Sequence, residues 1–471
     1  MREFENHVQK VKNEVYAEVT RLVLKGRLDT DKMDIAEKLN PGPNPRFRCC
    51  IYHERAVTNA RVKSTIAGID SNKNVVEVLN SACNGCTPNR YAVSDMCRGC
   101  ISNRCRQSCP VGAISIVGKK AMIDNEKCIE CGKCKAACPY DAIADVKRPC
   151  MKACPVNAIT VSQDGQAAID DEQCVRCGAC VQICPFGAVQ DRSEIVQVIE
   201  ELKSKTSPMI AMVAPSIAEA FGYTQVGKVV SAIKQIGFKD VVEVALGADS
   251  IIHTEAAEFV DVLKEDGVMT SSCCPAFVNY IKKKYPQLTS YISKTVSPMV
   301  QTAKIVKTVE PQSKVVFIGP CIAKKEEMSN TVVDYVLTFE ELSGMIDLDG
   351  VEEMEEAPLD NASYYGRKFA MSGGVSMALK NQLGKYEKLG NYDVIGCEGF
   401  DEIDKTLRLL KAGRLKRTFI EGMACKGGCV KGPVSINLGD PNRKAFEIYC
   451  NSAYEKDSDA FASVLNWGKK E

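Results

Sequence analysis

The sequence is poor in tryptophan, in histidine and in net charge. Among 471 residues there are one Trp and three His, and the formal net charge is +1. No apolar run approaches the ~18 residues needed to cross a membrane. A balance of 61 basic against 60 acidic residues lacks the polyelectrolyte character on which nucleic-acid binding by bulk charge depends. The N-terminus (MREFENHVQK) has no apolar signal-peptide core. These absences predict a soluble, cytoplasmic protein with no membrane span and no nucleic-acid partner. Hydrophobic residues make up 45%, enough for at least one large core, and the length suggests about two to four domains. Cysteine is the residue in excess: there are 25, in a chain too long for a small disulfide scaffold and placed where disulfides are rare.

Eighteen of the cysteines lie between Cys49 and Cys184, and seven are scattered through the remainder. Clustered cysteines suggest zinc, but zinc usually recruits histidine, and none of His7, His53 and His253 lies beside a CxxC. The spacing points elsewhere. Cys128, Cys131, Cys134 and Cys138 before Pro139 form C-x2-C-x2-C-x3-C-P, and Cys174, Cys177, Cys180 and Cys184 before Pro185 repeat it. This is the bacterial ferredoxin run, in which three cysteines hold one [4Fe–4S] cluster and the fourth reaches to a neighbouring one. Partial runs, Cys105-x3-Cys109-Pro110 and Cys150-x3-Cys154-Pro155, precede the full ones. Each is followed by a hairpin-like stretch, VGAISIVGKKAMID or VNAITVSQDGQAAID. The chain thus carries an internal repeat, each copy a two-cluster ferredoxin-like unit short of two ligands. The upstream pairs Cys83/Cys86 and Cys97/Cys100 can supply the missing four.

Sixteen cysteines from Cys83 to Cys184 make four [4Fe–4S] clusters. The crossover rule joins Cys109 to Cys128, Cys131 and Cys134, and Cys154 to Cys174, Cys177 and Cys180. Cys97 and Cys100 are nearest to Cys105 and Cys138, leaving Cys83, Cys86, Cys150 and Cys184. These last two assignments could exchange their CxxC pairs. Cys49 and Cys50 stay outside, as incidental thiols. From Arg46 to Arg106 ten basic residues face four acidic ones. That excess either offsets anionic clusters or forms a docking face for an acidic redox partner.

The C-terminal half carries a second constellation in SSCCPAF (271–277), GPCIAKKEE (319–327) and EGMACKGGC (421–429). Each places cysteine beside Pro or Gly where free backbone N–H groups can stabilise thiolates. Read from the residues alone, four cysteines on three loops make one further buried metal site. The three segments resemble the signature motifs of the [FeFe]-hydrogenases, over roughly residues 205–435. The resemblance implies an H-cluster: a [4Fe–4S] cubane joined through a cysteine sulfur to a diiron unit carrying CO, cyanide and azadithiolate. It implies that Cys274, Cys321, Cys425 and Cys429 hold the cubane, with Cys429 bridging. It further implies that Lys324 donates to one cyanide, that Ala214, Pro215 and Ser216 face the other, and that Met423 packs beside the diiron unit. The family's proton route maps onto Cys273, Glu255, Ser293 and Glu258, and the i, i+3 spacing of the glutamates puts both on one helix face.

Several positions depart from the family pattern: Gly319 for Met, Phe277 for Trp, Ser271 for Thr, Met299 for Gln, and KGPVSI in place of the glycine-rich end. They resemble a divergent clade often called group B, and they bear on tuning around the diiron unit. The expected architecture is multidomain. A mainly helical region (1–80) precedes two α+β ferredoxin-like repeats (81–192), and an α/β catalytic domain follows (199–471). The implied function is reversible 2 H⁺ + 2 e⁻ ⇌ H₂. The implied partners are a ferredoxin or flavodoxin carrier and the maturation proteins that install the diiron unit. A non-catalytic relative (cluster assembly or H₂ sensing) and a polyferredoxin carrier are the competing readings.

Overall fold

A computed structural model describes residues 4–69, 74–87, 90–329, 331–387, 389–437 and 444–461. In its N-terminal part short strands alternate with one-turn helices: β1 (Val76–Val78), β2 (Tyr91–Val93), β3 (Ile114–Val117), β4 (Lys120–Ile123), β5 (Ile143–Asp145), β6 (Ile159–Val161), β7 (Ala167–Ile169) and β8 (Val189–Asp191). Both hairpins expected after the Cys-Pro steps form, β3 with β4 and β6 with β7, each antiparallel. β2 pairs with β5 and β1 with β8, and these pairings close two similar modules.

Downstream, the alternation of apolar runs and amphipathic helices gives two parallel sheets. One has the order β10-β9-β12-β13, from β9 (Met209–Val213), β10 (Asp240–Glu243), β12 (Lys314–Gly319) and β13 (Tyr335–Thr338). The other has the order β11-β15-β14, from β11 (Val268–Thr270), β14 (Asp393–Glu398) and β15 (Thr418–Met423). β9 is buried at every residue, as a parallel strand covered by helices on both faces must be. The motif cysteines follow the C-terminal ends of β11, β12 and β15. Parallel sheets gather their functional loops at such an edge.

The N-terminal region is helical, with long helices at His7–Leu24 and Ile51–Ala67, but it does not stand apart. The first helix puts Val15, Tyr16, Val19 and Leu22 into the same core as β9 and β12. Buried Lys12 donates to Glu340 at 2.7 Å. Residues 76–78, grouped with this region by the sequence, belong to the second module through β8. Among the described residues no helix is long and apolar enough to cross a membrane.

A candidate chain of metal centres ending in a buried cavity

The structure brings the twenty predicted metal-binding cysteines near one another in five sets of four, although among the described residues no three Cys, His, Asp or Glu side chains close around a single metal ion. Cys109, Cys128, Cys131 and Cys134 ring one small cavity in the first module, and Cys97, Cys100, Cys105 and Cys138 ring another. In the second module Cys177 and Cys180 lie within electrostatic reach of Cys174 and Cys154. Cys150 lies within reach of Cys184, Cys83 and Cys86. The upstream pairs are therefore not exchanged. The β1–β8 pairing carries residues 76–86 to the second module and leaves Cys97 and Cys100 beside Cys105 and Cys138. Cys321 and Cys429 face Cys274, and Cys425 faces all three. These last three groups are contiguous, because Cys180 reaches Cys150 and Cys177 reaches Cys274.

Both the backbone and the surrounding charge suit anionic sulfur. The N–H groups of Ala113, Ala158 and Ala188 donate to Cys109, Cys154 and Cys184, each four residues back, at 3.2–3.3 Å. Burial pushes Cys150 and Cys321 up to about 11, and Cys177 and Cys429 up to about 12. A thiolate in such a place requires nearby positive charge, which iron would provide. The group around Cys150 supplies a second indication. Arg148 is buried, sits 4.0 Å from the Cys83 sulfur and leaves Nε without a partner among the described residues. Arg61 is buried within electrostatic reach of Tyr16, Glu340 and Cys184, and its Nε is also unpartnered among the described residues. A buried guanidinium is costly unless an anion faces it. Of the basic excess over 46–106, Arg46, Arg55 and Arg90 pair with Glu14, Glu37 and Asp145.

The C-terminal group borders a cavity of about 90 Å³ lined by Ala214, Pro215, Cys273, Cys274, Met299, Phe317, Cys321, Lys324, Met423 and Cys429, among others. Lys324 holds its ammonium between Glu327 (2.6 Å) and the Cys273 carbonyl (3.3 Å). Burial opposes its charge, but Glu327 outweighs that and holds the pKa above its ordinary value. Ser216 does not line the cavity. It is fully buried beside Pro215, and its hydroxyl has no partner among the described residues. An apolar pocket with an ammonium and four thiols on its wall fits a compact metal group with anionic ligands.

Gly319, the largest departure from the family pattern, has a local cause. A Cβ there would come within 2.5 Å of the Phe317 ring and 3.1 Å of Ala214. Phe317 therefore takes up space beside Gly319 and lines the cavity. Phe277 is fully buried and packs on Gly422, where an added Cβ would meet its ring at 2.4 Å.

Cys273 reaches Glu255 electrostatically. Glu255 is buried on the helix Ala245–Lys264 and pushed up to about 8, first by burial and then by Glu258, with a Ser293 hydrogen bond opposing. Ser293 also donates to Glu258 at 2.8 Å and lines an open groove of about 960 Å³. The four residues thus run from the cavity wall to the surface. The sequence reading gave Glu421 no role. Buried beneath the third motif, it accepts from the Gly373 and Ser376 amides at 3.0 and 2.9 Å, fixing the start of the helix Gly374–Leu383. Its only signal was its place in the E-x-M motif. His253 lies near the Ser458 carbonyl (3.4 Å) and Asp459 (3.7 Å), away from the cavity.

Comparison with known families places these features. Residues 207–433 match the iron only hydrogenase large subunit, C-terminal domain. Residues 96–142 match a 4Fe-4S dicluster domain, and 143–195 an Fe-S cluster-binding domain. The chain is 31% identical to the periplasmic [Fe] hydrogenase large subunit of Nitratidesulfovibrio vulgaris, covering 66% of this chain and 85% of that one. It is 29% identical to iron hydrogenase 1 of Clostridium pasteurianum, over 67% of this chain but only 64% of the relative's own length. It is also 24% identical to protein NAR1 of Arabidopsis thaliana, over 44% of this chain and 59% of that one.

Proposed function

This chain belongs to the iron-only hydrogenase family, with iron–sulfur domains ahead of the hydrogenase domain, and from that premise we propose that it is a working hydrogenase catalysing 2 H⁺ + 2 e⁻ ⇌ H₂. The observation that carries the proposal is the path from Cys273 through Glu255, Ser293 and Glu258, which begins at the wall of the cysteine-rimmed cavity. A purely structural iron–sulfur site needs no such path.

Cys274, Cys321, Cys425 and Cys429 would hold the cubane of an H-cluster, whose diiron unit supplies the redox chemistry on hydrogen when bound. Lys324 provides a fixed ammonium for an anionic ligand at one wall, and Ala214 and Pro215 form another, with Ser216 buried behind them. Met299, Phe317 and Met423 exclude water. The Cys273 thiol exchanges a proton with Glu255. Raised to about 8, Glu255 carries its proton at neutral pH and can both give and take one. Ser293 bridges the two carboxylates, and Glu258 meets solvent. Electrons would cross the four accessory clusters, with the Cys83 and Cys154 groups nearest the cubane. A ferredoxin or flavodoxin would dock on the first module, and dedicated maturation proteins would install the diiron unit in the cytoplasm.

The similarity to NAR1 favours one rival, a non-catalytic iron–sulfur protein on the same scaffold. Infrared spectroscopy after loading of a synthetic diiron unit separates the two. CO and cyanide bands with H₂ evolution are expected, and absence of the bands would rule out the hydrogenase. The variant Cys273→Ala should keep the bands and lose roughly 100-fold or more in turnover; unchanged turnover would refute the proton path.

A further inference from the structure

Cys49 and Cys50 lie outside all five groups, and both are exposed. They stand at the start of the helix Ile51–Ala67, with Cys50 as its extended N-terminal flank. Their sulfurs are 4.0 Å apart. Cys49 Sγ is also 3.3 Å from Nδ1 of His53, one helical turn on. The imidazole is held from its far side, where Nε2 lies 2.8 Å from the Ser81 carbonyl oxygen. A carbonyl only accepts, so Nε2 carries the ring hydrogen and Nδ1 presents its lone pair to the Cys49 thiol. Asn84 Nδ2 lies farther from the same nitrogen, at 3.2 Å, so the shorter Ser81 contact sets the tautomer. A thiol, a base and a group orienting the base stand in line, the pattern of an activated nucleophile. A second thiol waits beside the first.

We propose that Cys49 and Cys50 form a thiol–disulfide exchange site for small-molecule disulfides, with Cys49 attacking and Cys50 resolving. Cys49 passes its proton to His53 Nδ1 and attacks one sulfur of the disulfide RSSR. The S–S bond breaks, a mixed disulfide forms on Cys49, and the leaving thiolate takes the proton from His53. Cys50 then attacks the Cys49 sulfur, releasing the second RSH as its own proton leaves. In total two protein thiols are oxidised to a Cys49–Cys50 disulfide and RSSR is reduced to two RSH. Adjacent Cα atoms lie about 3.8 Å apart across a trans peptide, below the usual ~4.4–6.8 Å of a relaxed disulfide. The product is therefore strained and readily reduced again, as suits a reversible modification.

The site abuts the Cys83 group. Ser81 precedes Cys83 by two residues, and Arg48, next to Cys49, donates to the Phe186 carbonyl at 2.8 Å. The Phe186 ring in turn packs on Gly85, where an added Cβ would meet it at 2.4 Å. This inference does not depend on hydrogenase activity.

The test uses the anaerobic holoprotein, its cluster thiols ligated, exposed to 2-hydroxyethyl disulfide and then digested after Arg48 and Arg55. Mass spectrometry should find the Cys49–Arg55 peptide lighter by two hydrogens and restored by dithiothreitol. Cys50→Ser should trap the mixed disulfide on Cys49, and His53→Gln should slow the reaction roughly tenfold or more. A synthetic Cys49–Arg55 peptide, which lacks the Ser81 contact, should react more slowly than the intact protein. An unmodified pair, no adduct on Cys49 in Cys50→Ser, or equal rates for the protein and the free peptide would overturn the proposal.

Discussion

The two ferredoxin-like modules share one repeat but sit in different surroundings. In the first, Cys131 is exposed, and so are the large apolar side chains of Met96, Ile101, Met122, Ile129 and Tyr140. Its left-handed glycine, Gly132, faces Tyr91 of the same module. Its main ion pair, Arg90 with Asp145, lies at the surface. In the second, Cys150 and Cys180 are buried. The equivalent glycine, Gly178 (φ +77°), lies so close to Pro433 and Ile322 that an added Cβ would come within 2.6–2.8 Å of both. Buried Asp191 at the end of β8 meets Lys325, which also bonds Glu341 of the catalytic domain, at 2.7 and 2.8 Å. Cysteine spacing is common to both modules, so burial and charge compensation are what separate the outer unit from the inner one.

The sharpest way to break this contrast is Lys325→Met. It leaves Asp191 and Glu341 buried without their cation, and the expected cost is about 3–5 kcal/mol in denaturant unfolding. A cost near that of a surface pair would mean the second module is not joined there. The pH dependence of stability should come next in size and should differ in sign between the regions. Glu255, raised to about 8 from an ordinary 4.5, gives stability that is fully present below about pH 4.5 and is lost as the pH rises to about 8. Asp145, lowered chiefly by its hydrogen bonds from Arg90, gives stability present above its ordinary range and lost as the pH falls through its depressed value. Glu255→Gln should therefore flatten the thermal midpoint between pH 5 and 8, whereas Asp145→Asn should lower the midpoint at neutral pH and flatten its fall only in acid. Arg148→Gln should lower the reduction potential of a single cluster in an EPR-monitored titration, that of the Cys83 group, because it removes the cation facing that sulfur. The smallest effect expected is from Arg90→Ala, about 0–1 kcal/mol in the same unfolding assay.

What could be read from the sequence was local. The Cys-Pro runs, their hairpins and the cysteine motifs after strands are each specified within about thirty residues, and both hairpins form where the spacing puts them. The choice between the Cys83/Cys86 and Cys97/Cys100 pairs stayed open because it depends on β1 meeting β8, with Val76 in register with Asp191, 115 residues on. The Lys325 junction was invisible for the same reason, its partners being 134 and 16 residues distant. Arg148 fell outside the basic window, and counting charges cannot reveal which guanidinium is buried. Gly319 read as a lost side chain, whereas Phe317 on the same strand restores bulk there.

The neighbouring lysines 324 and 325 point to opposite sides of one short helix. Lys324 lines the cysteine-rimmed cavity, and Lys325 ends in the junction with the second module. The helix Ala323–Met328 therefore ties the cavity wall to that junction: Glu327 and the Cys273 carbonyl hold Lys324 on one side, and Asp191 with Glu341 holds Lys325 on the other.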